Sequence, residues 1–82
     1  MKVRIYITLK KNVLDIQGKA IENTLVKDLG FKQVSSVNQG KIIELKISES
    51  SPDKITKIIE EICDKLLVNK IMEDYTFEII KS

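Results

Sequence analysis

SPDKITKIIEEICDKLL, residues 51–67, decides the fold. Ser51 offers a hydroxyl cap, Pro52 carries a φ already suited to a first helical residue, and Asp53 sets a negative charge near the positive end of the helix dipole. From there Ile55, Ile58, Ile59, Ile62, Leu66 and Leu67 recur at i, i+3, i+4, i+7, i+11 and i+12, which puts one apolar stripe along a helix. A stripe that long needs an apolar surface to lie on. Asn69 is the expected C-cap.

The flanking segments supply that surface. On the C-terminal side Tyr75, Phe77 and Ile79 alternate with Thr76, Glu78 and Ile80, the period of a half-buried strand. On the N-terminal side Ile43, Leu45 and Ile47 alternate with Ile42, Glu44 and Lys46. Asn38-Gln39-Gly40-Lys41 ahead of them reads as a hairpin turn, and Val34–Val37 before it as a short strand. Further out, Asp15 caps a second helix bearing Ile21, Leu25, Val26 and Leu29, and Gly30 ends it. Val3, Ile5, Ile7 and Leu9 alternate with Lys2, Arg4, Tyr6 and Thr8 as the first strand. The order β-α-β-β-α-β predicts an α+β two-layer sandwich of the ferredoxin-like kind. It has a four-stranded antiparallel sheet and both helices on one face. Residues 1–82 form one domain, since 82 residues leave no room for a second.

If Val3, Ile5 and Ile7 meet the helices, the far face of the sheet carries Tyr6, Ile42 and Ile80 among Arg4, Thr8, Glu44, Lys46, Thr76 and Glu78. That face is drier than a solvated surface requires. It is therefore the expected surface of self-association, as a homodimer or tetramer.

Composition narrows the chemistry. Fourteen basic residues against 12 acidic ones give a net charge of +2, too even for binding nucleic acid by bulk charge. Thirteen of the basic residues are lysine, with Arg4 the exception. There is no histidine, so the usual neutral-pH acid–base group and the commonest metal ligand are both missing. The single cysteine, Cys63, excludes an intramolecular disulfide and a cysteine-rich zinc site. It falls on the apolar stripe, where it reads as a structural thiol. No glycine-rich phosphate loop precedes a helix, and Tyr6 is the only aromatic on the open face, against an RNA-reading sheet. The arginine that an acylphosphatase needs in a loop lies within a strand, as Arg4. No signal-peptide or membrane-spanning run is present, and with the free thiol this makes the cytoplasm the expected location. The residues leave open an interaction subunit or a small-molecule-sensing domain of the amino-acid-binding type.

Three segments are more particular than the fold demands: Leu9-Lys10-Lys11-Asn12-Val13-Leu14-Asp15-Ile16-Gln17-Gly18-Lys19-Ala20, Gly40-Lys41-Ile42-Ile43-Glu44-Leu45, and Cys63-Asp64-Lys65-Leu66-Leu67-Val68-Asn69 running into Glu73-Asp74-Tyr75. In this order they resemble the PurS family, the small subunit of phosphoribosylformylglycinamidine (FGAM) synthase. One departure stands out: Ile16 follows Asp15 where the family usually has proline. Isoleucine gives up the pre-set φ of the first helical residue and leaves the aspartate cap in place.

The resemblance implies a non-catalytic subunit in de novo purine biosynthesis. It would bridge a glutaminase subunit, which releases ammonia, and a large ATP-dependent synthetase subunit, which amidates formylglycinamide ribonucleotide. No cofactor or metal is implied for this chain. ATP, magnesium and glutamine are used by the partner subunits, and neither nucleic acid nor membrane is a partner. The expected partner contacts are the Val13–Gly18 loop, with Val13, Leu14, Asp15, Gln17 and Gly18, and the Asn69–Tyr75 segment, with Asn69, Glu73, Asp74 and Tyr75.

Overall fold

The structure, a computed structural model, describes residues 1–80. Strand β1 (Lys2–Leu9) is central, with β2 (Gly40–Lys46) on one side and β3 (Glu73–Ile80) on the other, both antiparallel to it. Ile5 lies between Ile43 and Phe77, Val3 between Leu45 and Ile79, and Ile7 between Lys41 and Tyr75. The alternation read from the sequence therefore holds on all three strands. Two bonds lengthen the ladders: Ile47 and Met1 exchange N–H and carbonyl contacts at 2.8 and 2.9 Å, and Lys10 N–H donates to the Met72 carbonyl at 2.8 Å.

Helix α2 (Pro52–Ile62) lies over this sheet and continues through Cys63–Leu67 as a wider turn, closed by Val68 N–H on the Cys63 carbonyl five residues back. Its fully buried residues are Ile55, Ile59 and Cys63, and with Val3, Ile5, Ile7 and Val68 they make the core. The spacing is four each time. The wider turn carries this phase on to Leu67, which packs against the core, and rotates Leu66 into solvent at 80% exposure. The expectation that Leu66 faces inward is thereby corrected. Asn69 likewise is not the helix cap: the helix ends at Leu67, and Asn69 opens the following turn, its side chain accepting from Ile71 N–H at 3.1 Å.

The largest correction concerns the sheet. Among the described residues it has three strands, not four, because Val34–Val37 does not pair. Its backbone is engaged elsewhere. Val34 N–H closes a turn on the Phe31 carbonyl at 3.1 Å, and Val37 N–H donates to the Glu22 carboxylate at 3.3 Å. Four residues cannot outbid those local bonds for a ladder. The segment instead runs back along α1 (Ile16–Asn23, continuing as a wide turn over Thr24–Asp28). Gly30, with φ +77°, ends that helix in the left-handed region as its sequence position suggests.

Helix α1 does not share the face with α2. It contributes no residue to the core or to the shell packed on it, and its one buried residue is Gly18. Residues 10–39 form an arm that leaves the sheet at the end of β1 and returns at the start of β2. The molecule is correspondingly long and thin, 49 × 29 × 14 Å.

Candidate functional site

The end of the sheet where the arm departs collects most of the polar residues singled out in the sequence. Asp15 adopts the extended conformation of a helix cap. Its Oδ1 accepts from Gly18 N–H at 2.8 Å and its Oδ2 from Gln39 N–H at 2.7 Å. One carboxylate thus joins the start of α1 to the start of β2. Those two N–H donors, Gln39 the stronger, hold the Asp15 carboxyl below the usual carboxylate range. Gly18 is where α1 and the segment before β2 cross. A Cβ there would lie 2.6 Å from the Val37 carbonyl oxygen and 2.5 Å from Asp15 Oδ2.

The second predicted segment closes on the same end. Glu73 accepts from Asn69 N–H at 2.9 Å and lies 3.4 Å from Lys41 Nζ, and both, the backbone donor first, lower its pKa. Asp74 pairs with Lys10 at 2.6 Å. The turn from Asn69 to Glu73 is further fixed by Met72 N–H and Glu73 N–H, both donating to the Asn69 carbonyl. Gln17, Gln39, Gly40, Lys41 and Glu73 line one shallow cleft with Asp15, so residues 56 apart in sequence face each other.

The remaining predicted residues differ in how far they are exposed. Tyr75 pairs with Ile7 on the core side of the sheet and is half-buried; burial first, then the neighbouring Cys63, raises its phenol pKa. It also lines a surface cleft with Lys10, Lys70, Glu73 and Asp74. Val13 is half-buried, whereas Leu14 projects, 73% exposed, with Ile16 beside it at 72%.

On the open face Tyr6 and Ile42 are register partners, but Ile80 pairs with Lys2 four positions away. Between them runs an ion-paired row. Arg4 donates to Glu44 at 2.8 and 3.0 Å and approaches Glu78 at 3.6 Å, Lys2 approaches Glu44 at 3.4 Å, and the Tyr6 hydroxyl donates to Glu78. The three residues named for self-association are therefore not one patch.

Sequence reasoning missed Lys10, Gln39 and Lys41 as members of this end of the molecule. Gly40-Lys41 stood in a segment already marked as particular, which was the available signal. Within the expected Asn69–Tyr75 segment, Ile71 and Met72 are exposed, at 85% and 43%, in the turn before β3.

Chemically, the carboxylates of Asp15, Glu22 and Glu73 are ionised acceptors committed to backbone N–H groups and lysines. Cys63 is buried, and burial followed by the Asp64 charge raises its thiol pKa, away from the thiolate a nucleophile needs. Among the described residues no group of three or more cysteine, aspartate or glutamate side chains could hold a metal ion, and no helix is long and apolar enough to cross a membrane.

Architecture and loop geometry together define a small α+β domain, a helix-covered three-stranded sheet with an outlying helical arm tied down by carboxylate bonds to backbone. Residues 2–81 match the family model described as PurS, phosphoribosylformylglycinamidine (FGAM) synthase, and the chain belongs to that family. It is 40% identical over 78 residues to the phosphoribosylformylglycinamidine synthase subunit PurS of Bacillus subtilis, covering 95% of this chain and 90% of the relative. The crystal form of B. subtilis PurS superposes with a TM-score of 0.83 at 38% identity, over 98% of both chains. A chain in the PurLQS structure from Thermotoga maritima superposes with a TM-score of 0.85 at 31% identity, over 94% of this chain and 93% of that one.

Proposed function

We propose that this chain is the small, non-catalytic subunit of an FGAM synthase complex in purine biosynthesis. It bridges the glutaminase and ATP-dependent synthetase subunits and supports the glutamine-dependent amidation of formylglycinamide ribonucleotide. The observation that carries the reading is the likeness, over nearly the full length of both chains, to a chain of the PurLQS assembly. The site fits that role. The Val13–Gly18 and Asn69–Asp74 segments meet at one end of the sheet, where Gln17 is exposed and shares a cleft with Glu73. Exposed residues on rigidly held loops are what a partner can grip. ATP, magnesium and glutamine belong, on this reading, to the partner subunits. Tyr6 and Ile42 on the open sheet face supply one surface for self-association, with Ile80 beyond the ion-paired row.

The test is reconstitution. Glutamine-dependent amidine formation by the purified glutaminase and synthetase subunits is measured with and without this chain. The expected result is turnover that depends on its addition; equal turnover without it defeats the proposal. Gln17→Ala weakens assembly with the thermal midpoint unchanged, since its side chain is exposed. Glu73→Lys is the poorer probe, because it also removes the acceptor for Asn69 N–H.

A further inference from the structure

Two residues break the inward rows of the sheet. On β3 the core-facing positions run Glu73, Tyr75, Phe77 and Ile79, and on β2 they run Lys41, Ile43 and Leu45. Tyr75, Phe77, Ile79, Ile43 and Leu45 all pack against the core. The position of each row nearest the departing arm carries a charge instead. Apolar side chains there would extend the core by one layer over Ile7 and Leu9. A break in an otherwise consistent pattern marks a place where something besides stability is served.

The two charges are opposite and meet across β1. Lys41 Nζ lies 3.4 Å from Glu73 Oε2, and the Glu73 side chain is 12% exposed. That is the lowest exposure of any ion-paired carboxylate among the described residues. A carboxylate shielded from water is screened less than one on the open surface. Exposed pairs such as Lys10–Asp74 contribute little by comparison.

The pair sits in the middle of a continuous path. Glu73 Oε1 accepts from Asn69 N–H at 2.9 Å, which anchors the turn before β3. Lys41 stands two residues after Gln39, whose N–H is held by Asp15, and Asp15 stands two residues before Gln17. Every other step is covalent chain or a bond to backbone. Lys41–Glu73 is the one step made between two side chains, and it joins the halves. The exposed ends of the path are Ile71 in the turn and Gln17 on the loop.

We propose that the Lys41–Glu73 pair is a positioning device: it holds the Asn69–Met72 turn and the Gln17 loop at one fixed spacing, so that a partner subunit meets both as a single surface. The spacing follows from the geometry alone, and the partner's use of it rests on the bridging role. The pair acts through Gln17 and Ile71. Order that exists before binding lowers the ordering cost that binding must meet. Without the pair, the Asp15 bonds and those within the turn still fold each segment, and only the distance between the segments is released.

Lys41→Met removes the charge from an exposed side chain of similar length, and Lys41→Arg keeps the charge. With purified glutaminase and synthetase subunits, the concentration of this chain that gives half-maximal glutamine-dependent amidation is measured. Lys41→Met is expected to raise it about tenfold, and Lys41→Arg to bring it back to within about twofold of the unaltered chain. A cycle of Gln17→Ala and Ile71→Ala reads the coupling itself. In the unaltered chain the double variant should depart at least about threefold from the product of the single effects, whereas on Lys41→Met the effects multiply. A half-maximal concentration unmoved by Lys41→Met, an arginine variant as impaired as the methionine one, or effects that multiply in the unaltered chain would each overturn the proposal. The isolated chain gives a second reading with no partner present. Lys41→Met is expected to move the amide resonances of both Asn69 and Gln17 while circular dichroism stays unchanged; if either resonance stays in place, the proposal falls. Amidation that proceeds equally without this chain would defeat the bridging role, and the two resonances would still decide the positioning.

Discussion

Gly18 is a packing requirement of the knot between α1 and the segment before β2. Replacing it by alanine would ordinarily help a helix by up to about 1 kcal/mol. Here the new Cβ meets the Val37 carbonyl oxygen at 2.6 Å, and a backbone atom cannot step aside as a side-chain tip can. Overpacking of this kind costs about 1–3 kcal/mol, so the clash wins. Gly18→Ala is expected to lower the thermal midpoint by roughly 5 °C or more, measured by circular dichroism. An unchanged midpoint would show that the Val34–Val37 segment can shift away from α1. Asp15 sits in the same knot. As a helix cap it is replaceable, but its second oxygen holds Gln39 N–H, so its loss also frees the start of β2.

The two helices do different work. Helix α2 has a continuous inward row, Ile55, Ile59 and Cys63, each fully buried. Deleting part of a fully buried isoleucine leaves a cavity as well as losing burial, and costs about 2–5 kcal/mol. Ile59→Ala is therefore expected to unfold much of this small domain near its working temperature, seen as a chemical-denaturation midpoint far below that of the unaltered chain. Ile21→Ala on α1, at 43% exposure, should leave the fold of the single chain almost untouched. Similar stability losses from both substitutions in the monomer would contradict the separation of arm and core.

Charge sets how the whole molecule responds to pH. The carboxyls of Asp15, Glu22, Glu44, Glu61 and Glu73 are all held below their ordinary values: Asp15 and Glu73 chiefly by backbone N–H groups, Glu22 by Lys19, Glu44 by Arg4 and Glu61 by Lys65. A folded pKa below the unfolded one stabilises the fold above the unfolded value, about 4, and that stabilisation is lost as pH falls through the folded value. Cys63 and Tyr75 shift upward on burial, and an acid raised in this way helps the fold below its unfolded pKa and ceases to as pH rises through the folded one. With no histidine in the chain, no side chain has an ordinary pKa near neutrality. Stability is expected to be flat between about pH 5 and 8 and to fall on the acid side below about 4, with the loss shallower in Asp15→Asn. A midpoint that changes between pH 6 and 7 would contradict this.

Local patterns determined the three real strands and both helices, because alternation and the three-to-four spacing act over a few residues, as do the Asp15 cap and the Gly30 stop. The family motifs likewise stood in order along the chain. Only the tertiary structure decided where those pieces went. Val34–Val37 looked like a strand, but Glu22 and Phe31 claimed its hydrogen bonds. Leu66 fitted the stripe, but the wide turn at Cys63–Leu67 advanced the phase past it. The meeting of Gln17 and Glu73 came from pairing β1 with both neighbours, a relation between distant residues that no local period encodes. The second helix shows the division most clearly. Its amphipathic stripe could be read from Ile21, Leu25 and Leu29, but a stripe says only that an apolar surface is required; which sheet supplies it depends on where the chain's connections let the helix reach.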